Sequence, residues 1–155
     1  FDMVFIRKEG QFAEKMRLCF GIVDQSLPHL RKGLRSKEDM EAAAKILKGR
    51  KVAKGLRFIV VPATNTIFKQ AIERGYIKTF IEAGAVICHP CCGLCCGMPY
   101  GLMTDDERIL LTANRNFIGR QGTKKTLGYL SSPTVAAATA VMGVVTDPAD
   151  LPALA

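Results

Sequence analysis

Arg57-Phe58-Ile59-Val60-Val61-Pro62 and Ala85-Val86-Ile87-Cys88 are the two short runs on which the fold turns. Both are apolar and rich in β-branched residues. The first is closed by a proline and the second leads directly into a cysteine-rich turn, so they predict strands over 57–61 and 85–88. Between them, residues 66–74 read as a helix capped near Thr64 or Asn65 and stopped by Gly75. Residues 77–83 read as a second short helix ending at Gly84. Upstream, 37–49 is an amphipathic helix, with Ser36 as its cap, Glu38 and Asp39 in the first turn, Lys45 and Lys48 in the last, and Gly49 as stop. Residues 3–6 form a short apolar run that predicts a strand. Gln11 to Phe20 reads as a helix, and Pro28 and Gly33 interrupt the stretch between it and Ser36.

Downstream, 109–112 predicts a strand and 114–122 a loop containing glycine and arginine. Ser132-Pro133 then opens an alanine-rich helix over 134–142, with serine as cap, proline at the first helical position and Gly143 as terminator. Small residues lie nearly all round that helix, so a neighbour must pack closely on it. Strands alternating with helices predict a single α/β domain over 1–155, with a mainly parallel sheet flanked by helices. In such sheets the chemistry gathers at the carboxyl ends of the strands, where the cysteine turn and the arginine loop both fall.

Five of the six cysteines lie in Cys88-His89-Pro90-Cys91-Cys92-Gly93-Leu94-Cys95-Cys96-Gly97, and the sixth is Cys19. A disulfide scaffold spreads its cysteines through a small domain, whereas these converge on one turn. Adjacent pairs such as Cys91-Cys92 also make poor bridges, because a disulfide needs facing Cβ atoms. Four readings of Cys92-x-x-Cys95 stand side by side. Zinc requires four ligands, and only His89 is near. A redox pair would sit where a strand meets a helix. An iron–sulfur cluster suits closely spaced thiolates flanked by glycines. Small buried residues with no chemistry are the fourth.

Asn114-Arg115-Asn116-Phe117-Ile118-Gly119-Arg120-Gln121-Gly122 is the second candidate site. Arg115 and Arg120 do not share a helical face, so a loop is the geometry that lets two guanidinium groups converge on a carboxylate or phosphate. The bland reading is a pair of solvated or structural arginines. Asp105-Asp106-Glu107 reads as a surface acidic turn with a capping role. His29 and His89 lack partners at ligand or triad spacing, and the methionines show no cofactor signature.

The chain has 155 residues, 48% hydrophobic and 23% charged, enough apolar content to fill one core, which excludes disorder. No apolar run approaches the roughly 20 residues that span a bilayer. The opening Phe-Asp-Met-Val-Phe lacks a signal-peptide layout, and the absence of a start methionine predicts a fragment or excised domain. Residues 1–57 hold 14 of the 22 Lys and Arg against 7 of the 14 Asp and Glu. That basic half can mean nucleic acid, an acidic partner surface or small anions, and the bland reading is a solvated basic face. Trp is absent and no aromatic residues interleave with the charges, which argues against nucleic acid. Reduced-thiol chemistry predicts a cytoplasmic setting.

The order of these signals resembles the large subunit of 3-isopropylmalate dehydratase, within the aconitase and homoaconitase superfamily. The likeness runs over 38–145, from Glu38-Asp39-Met40-Glu41-Ala42-Ala43-Ala44 through Val60-Val61-Pro62-Ala63 and Phe80-Ile81-Glu82-Ala83-Gly84-Ala85. It is strongest in Cys92-Gly93-Leu94-Cys95-Cys96-Gly97, similar to the family's Cys-Gly-Pro-Cys-Leu-Gly. Asn114-Arg115-Asn116-Phe117-x-Gly119-Arg120 and Ser132-Pro133-x-x-Ala136-Ala137-Ala138 complete it. Residues 1–37 match poorly.

The resemblance implies a [4Fe–4S] cluster held by three cysteines, with Cys92 and Cys95 as two of them. It implies that Arg115 and Arg120 hold substrate carboxylates near Asn114. The reaction implied is dehydration and rehydration of 2- and 3-isopropylmalate in leucine biosynthesis, a hydro-lyase working as an isomerase. The same resemblance leaves room for another tricarboxylate or malate derivative, or for a non-catalytic iron–sulfur or zinc module. The family's first cluster cysteine stands in a Ser-Cys-Thr-Asn-Gly-Arg motif after a strand like 3–6, where this chain has Arg7-Lys8-Glu9-Gly10. The third ligand is therefore not identified. The family's upstream domains, and the small subunit or swivelling domain that supplies the proton-abstracting serine, are implied partners, and the chain alone is expected to be inactive.

Overall fold

The computed structural model describes residues 2–7, 16–21, 35–91, 102–105, 107–112 and 117–154, with backbone placement only for 2–7, 16–21 and 35–37. Three strand pairs and four α-helices are formed by these residues. Strand β1 (Asp2–Arg7) pairs antiparallel with β2 (Met16–Gly21). Helix α1 (Arg35–Leu47) comes next. Strand β3 (Ile59–Val60), helices α2 (Asn65–Glu73) and α3 (Tyr76–Ala83), and strand β4 (Val86–Ile87) form a crossover unit in which β3 and β4 are parallel. Strand β5 (Arg108–Leu111) pairs in parallel with β6 (Leu127–Leu130), and α4 (Pro133–Met142) is the last α-helix. A 3₁₀ turn at Pro148–Asp150 closes the regular structure.

The alternation of strands and helices is as the sequence predicts, and the fold is an α/β arrangement of small parallel ladders flanked by helices. The single mainly parallel sheet is not: among the described residues there are three two-stranded ladders, one of them antiparallel. Of the helix expected over 11–20, residues 11–15 lie outside the described residues, and 16–20 belong instead to strand β2, in register from Met16 opposite Arg7 to Gly21 opposite Asp2. Apolar Met16, Leu18 and Phe20 alternate with Arg17 and Cys19, and pairing with β1 overrides local helix preference. The hairpin lies beside both β5 and β3.

Helix α1 places Met40, Ala43, Ala44 and Leu47 on one buried face, the i, i+3, i+4, i+7 stripe of an amphipathic helix. It starts at Arg35, so Ser36 lies inside the helix rather than at its cap. Thr64 does cap α2, its hydroxyl accepting from the Ile67 amide at 3.2 Å. Helix α3 ends at Gly84, whose φ of 100° takes the left-handed region that closes a helix at low cost only for glycine. Phe58, Phe80, Ile109 and Leu111 are fully buried and, with Met40 and Leu47, fill the centre of the core.

Helix α4 carries the Ser132 cap, Pro133 and Gly143 in the roles the sequence predicts. Ala136, Ala137, Ala138 and Ala140 are all buried, and α1 is its principal neighbour. Their small side chains let the two helices approach closely, so the composition is explained by packing. Thr139 is fully buried in the same helix, and its hydroxyl accepts from the Thr146 amide at 3.1 Å, pinning the chain after the helix.

Strand β6 carries no clear signal in the sequence. Leu127, Tyr129 and Leu130 are about half exposed, and Gly128 interrupts the run, so no buried alternation marks it. Its ladder continues past the strand through the Ser131 amide to the Leu111 carbonyl at 2.8 Å.

Candidate cluster and anion site

The cysteine turn leaves the fold at β4. The Val86 amide donates to the Phe58 carbonyl at 2.7 Å and the Cys88 amide to Val60 at 2.9 Å, which locks the strand in parallel register as far as Cys88. Cys88 is half-buried against the core, and Cys91 is exposed. Between them the His89 ring stands edge-on to Phe68 in the first half of α2, with centroids 5.6 Å apart. That edge-to-face contact packs the exposed imidazole against α2. Cys92, Cys95 and Cys96 lie outside the described residues. Among the described residues no group of three or more His, Cys, Asp or Glu side chains is placed to hold a metal.

The arginine loop leaves the fold just after β5. Asn114 and Arg115 lie outside the described residues, and the loop is described again from Phe117. The Arg120 amide donates to the Phe117 carbonyl at 3.1 Å, closing a turn whose third residue, Gly119, has φ of 83°. A turn with positive φ at that place strongly favours glycine. Its effect is to fold Arg120 back so that the guanidinium carbon lies 5.1 Å from the Phe117 ring centroid. An aromatic face there orients the planar cation.

The two segments meet where they return. The Met103 amide donates to the Gln121 carbonyl at 2.7 Å, and Met103 and Gly122 form a parallel bridge. The Thr126 hydroxyl donates to the Thr104 carbonyl at 3.3 Å, and Lys125 Nζ lies 3.1 Å from Asp105 Oδ2. Three contacts thus stitch the chain just after the cysteine turn to the chain just after the arginine loop. Gly122 makes this possible: a Cβ there would lie 2.7 Å from the Met103 carbonyl oxygen.

Glu107 does cap the acidic turn, accepting from the Thr104 amide at 2.8 Å. The Thr123 hydroxyl and then the Lys125 ammonium hold the Asp105 carboxyl below the ordinary aspartate range. A lowered folded pKa contributes stability above the unfolded value, and that contribution is lost as pH falls through the folded value. The group is exposed, so the effect is small. Asp105→Asn should lower the urea midpoint slightly near neutrality and converge with the unaltered chain as pH falls below the usual aspartate range, and a difference that grows toward acid would contradict this origin.

Gln121 is a residue the sequence does not flag. It is only 3% exposed, and neither atom of its amide has a hydrogen-bond partner among the described residues, nor does the buried Thr112 hydroxyl. Unpaired buried polar atoms are rare and costly, about 1–3 kcal/mol each. They fall on either side of 113–116, which marks the same loop as the two arginines do. Its only trace in the sequence is a long amide between the loop's last arginine and a glycine.

Residues 35–143 match the Aconitase family (aconitate hydratase). The chain is 54% identical over 114 residues to the 3-isopropylmalate dehydratase large subunit of Caldicellulosiruptor bescii, covering 74% of this chain and 27% of that one. It is 50% identical over 111 residues to 3-isopropylmalate dehydratase large subunit 1 of Archaeoglobus fulgidus, 72% of this chain and 27% of the relative. The 2,3-dimethylmalate dehydratase large subunit of Eubacterium barkeri is 48% identical over 114 residues, 74% of this chain and 27% of its own length. The chain therefore spans about a quarter of the length of these relatives. No described helix is long and apolar enough to cross a membrane.

Proposed function

The chain belongs to the aconitase family, and from that premise we propose that it is the cluster-and-carboxylate segment of a hydro-lyase large subunit acting on a malate-type acid. In this reading residues 1–155 form one domain, cytoplasmic and completed by the upstream domains and by a small subunit or swivelling domain. The substrate is isopropylmalate, and 2,3-dimethylmalate is the alternative named by a relative nearly as similar. The observation that carries the reading is the half-identity over 114 residues, together with a family match over 35–143 that includes both the cysteine turn and the arginine loop.

The donor set fits the group the family resemblance implies. Thiolates are the usual protein donors to iron–sulfur clusters, and Cys92 and Cys95 supply two from one glycine-flanked turn. When bound, the [4Fe–4S] cluster would supply a Lewis acid for the departing hydroxyl. The work of this chain is to place the substrate. Arg115 and Arg120 each present a planar fork that grips a carboxylate through two parallel hydrogen bonds, with Asn114 beside them. Two anchored carboxylates fix both carbons between which water leaves and returns, and holding them replaces an unfavourable orientational entropy at each turnover. The Arg120 guanidinium is oriented beforehand by Phe117, and its position is set by the turn at Gly119 and the bridge at Gly122. The proton alpha to a carboxylate is removed by a base outside this segment.

Water loss from 3-isopropylmalate tests the reading. The reconstituted chain alone should show no turnover, and activity should appear when it is mixed with the remaining domains and small subunit of the Caldicellulosiruptor bescii enzyme. A silent mixture, beside an active relative, would overturn it. Stoichiometric zinc without iron would favour the non-catalytic module instead.

A further inference from the structure

Cys88-His89-Pro90-Cys91 is a Cys-x-x-Cys run of its own, and its two thiols take no part in the placement of cluster and substrate described above. All four residues are among those described, and both cysteines are thiols rather than a disulfide. We propose that Cys88 and Cys91 form a reversible disulfide, a modification site whose co-reactant is a small disulfide of the glutathione class. This chemistry lies outside the proposed function and does not require it.

Backbone shape is the first support. A disulfide needs Cα atoms about 4.4–6.8 Å apart, and a fully extended run of four residues spans roughly 10 Å, so the chain must bend to close one. Here it does. The ladder ends at Cys88, whose amide donates to the Val60 carbonyl at 2.9 Å, and the chain bends at Pro90 and Cys91. The sequence restricts that segment: Pro90 fixes its own φ near −65° and disfavours the helical region for His89. The His89 ring is held edge-on to Phe68, centroids 5.6 Å apart, which ties the residue between the two cysteines to α2.

Exposure is the second. Cys91 is exposed, whereas Cys88 is half-buried at the core margin. Thiol–disulfide exchange runs through a mixed disulfide and depends on access, so the two sulfurs suit its two steps. The Cys91 thiolate attacks one sulfur of the small disulfide, forms a mixed disulfide and releases one small thiolate. The Cys88 thiolate then attacks the Cys91 sulfur, forms the Cys88–Cys91 bond and releases the second. The two cysteine protons end on the released thiols, and the small disulfide is reduced by two electrons. The second step is intramolecular, so the mixed disulfide is short-lived. The closed bond would tie the chain leaving β4 to the last residue of the β3–β4 ladder. In a reducing compartment such a bond forms only when the small-disulfide pool rises.

Equilibration of the 155-residue chain with mixtures of reduced and oxidised glutathione, under anaerobic conditions and with an acid quench, tests this. Fragmentation of the unreduced tryptic peptide over 79–108 should break the peptide bond between Cys91 and Cys92 but none between Cys88 and Cys91. Reduction should restore those missing fragments. A variant carrying Cys19→Ser, Cys92→Ser, Cys95→Ser and Cys96→Ser isolates the pair. It should oxidise as a monomer lighter by two hydrogens. Folded, it should reach half-oxidation with about tenfold less oxidised glutathione than in urea, because the fold already holds the bend. Adding Cys88→Ser should stop the reaction at a glutathione adduct on Cys91. Fragments from within 88–91 of the oxidised, unaltered chain overturn the proposal, as does a lasting glutathione adduct on the isolated pair. Equal oxidation with and without urea overturns it too, because spacing alone would then account for the bond.

Discussion

Gly122→Val is expected to destabilise the chain by about 3 kcal/mol or more, while Gly119→Ala, three residues earlier, costs about 1 kcal/mol. Both glycines have positive φ, 126° and 83°, so both substitutions carry a left-handed penalty. The difference lies in what a side chain meets. At Gly119 the nearest atom to a new Cβ is the flexible Lys124 Cγ at 3.7 Å. At Gly122 it is the Met103 carbonyl oxygen at 2.7 Å, with the Met103 nitrogen at 3.0 Å, and neither can move without straining the hydrogen bond from the Met103 amide to the Gln121 carbonyl. Met103 is itself 2% exposed, so the displacement would reach the core. Urea unfolding of the two variants checks this, and equal losses would show that the bridge contributes nothing. If the bridge also sets the distance between the cysteine turn and the arginine loop, Gly122→Ala at reduced temperature should weaken carboxylate binding in the assembled enzyme even where it folds.

The parts of the fold that are legible in the sequence are those whose cause is local. Thr64, Gly84, Ser132, Pro133 and Gly143 act on backbone groups within a few residues, so helix ends are written beside the helices. The strands leading to the cysteine turn are readable because β-branched runs between a proline and a turn have few alternatives. The illegible parts depend on partners remote in sequence. Segment 16–21 is a strand because β1 is there to pair with it, and 127–130 because β5 is. The bridge between Met103 and Gly122 shows in the sequence only as one more glycine. At the site, Arg120 is found by its chemistry, whereas Phe117 and Gln121 are not, because their roles come from a turn that folds one residue over another and from burial. Cys92, Cys95, Asn114 and Arg115 rest on the sequence pattern, and the described flanks on either side of them are what the structure adds.

Arg120→Lys should lower kcat/KM for a malate-type substrate by about 100-fold in the assembled enzyme, mostly through KM, with little change in the stability of the chain. Lysine keeps the charge and loses the fork, so one ammonium replaces two parallel N–H donors to a carboxylate, and charge-assisted hydrogen bonds are worth about 1.5–3 kcal/mol. The aromatic support is a smaller, separable part. Phe117 is 63% exposed, and a cation over an exposed ring gains about 0.5–1 kcal/mol. Phe117→Leu should therefore raise KM only about 2- to 5-fold. Because Phe117 acts by orienting the guanidinium, its substitution should matter far less once lysine stands at 120, and a double-mutant cycle reads that coupling directly. Additive effects of the two changes would mean that the ring contacts substrate in its own right. An unchanged KM in Arg120→Lys would remove this arginine from the anion site and leave its contact with Phe117 as surface packing.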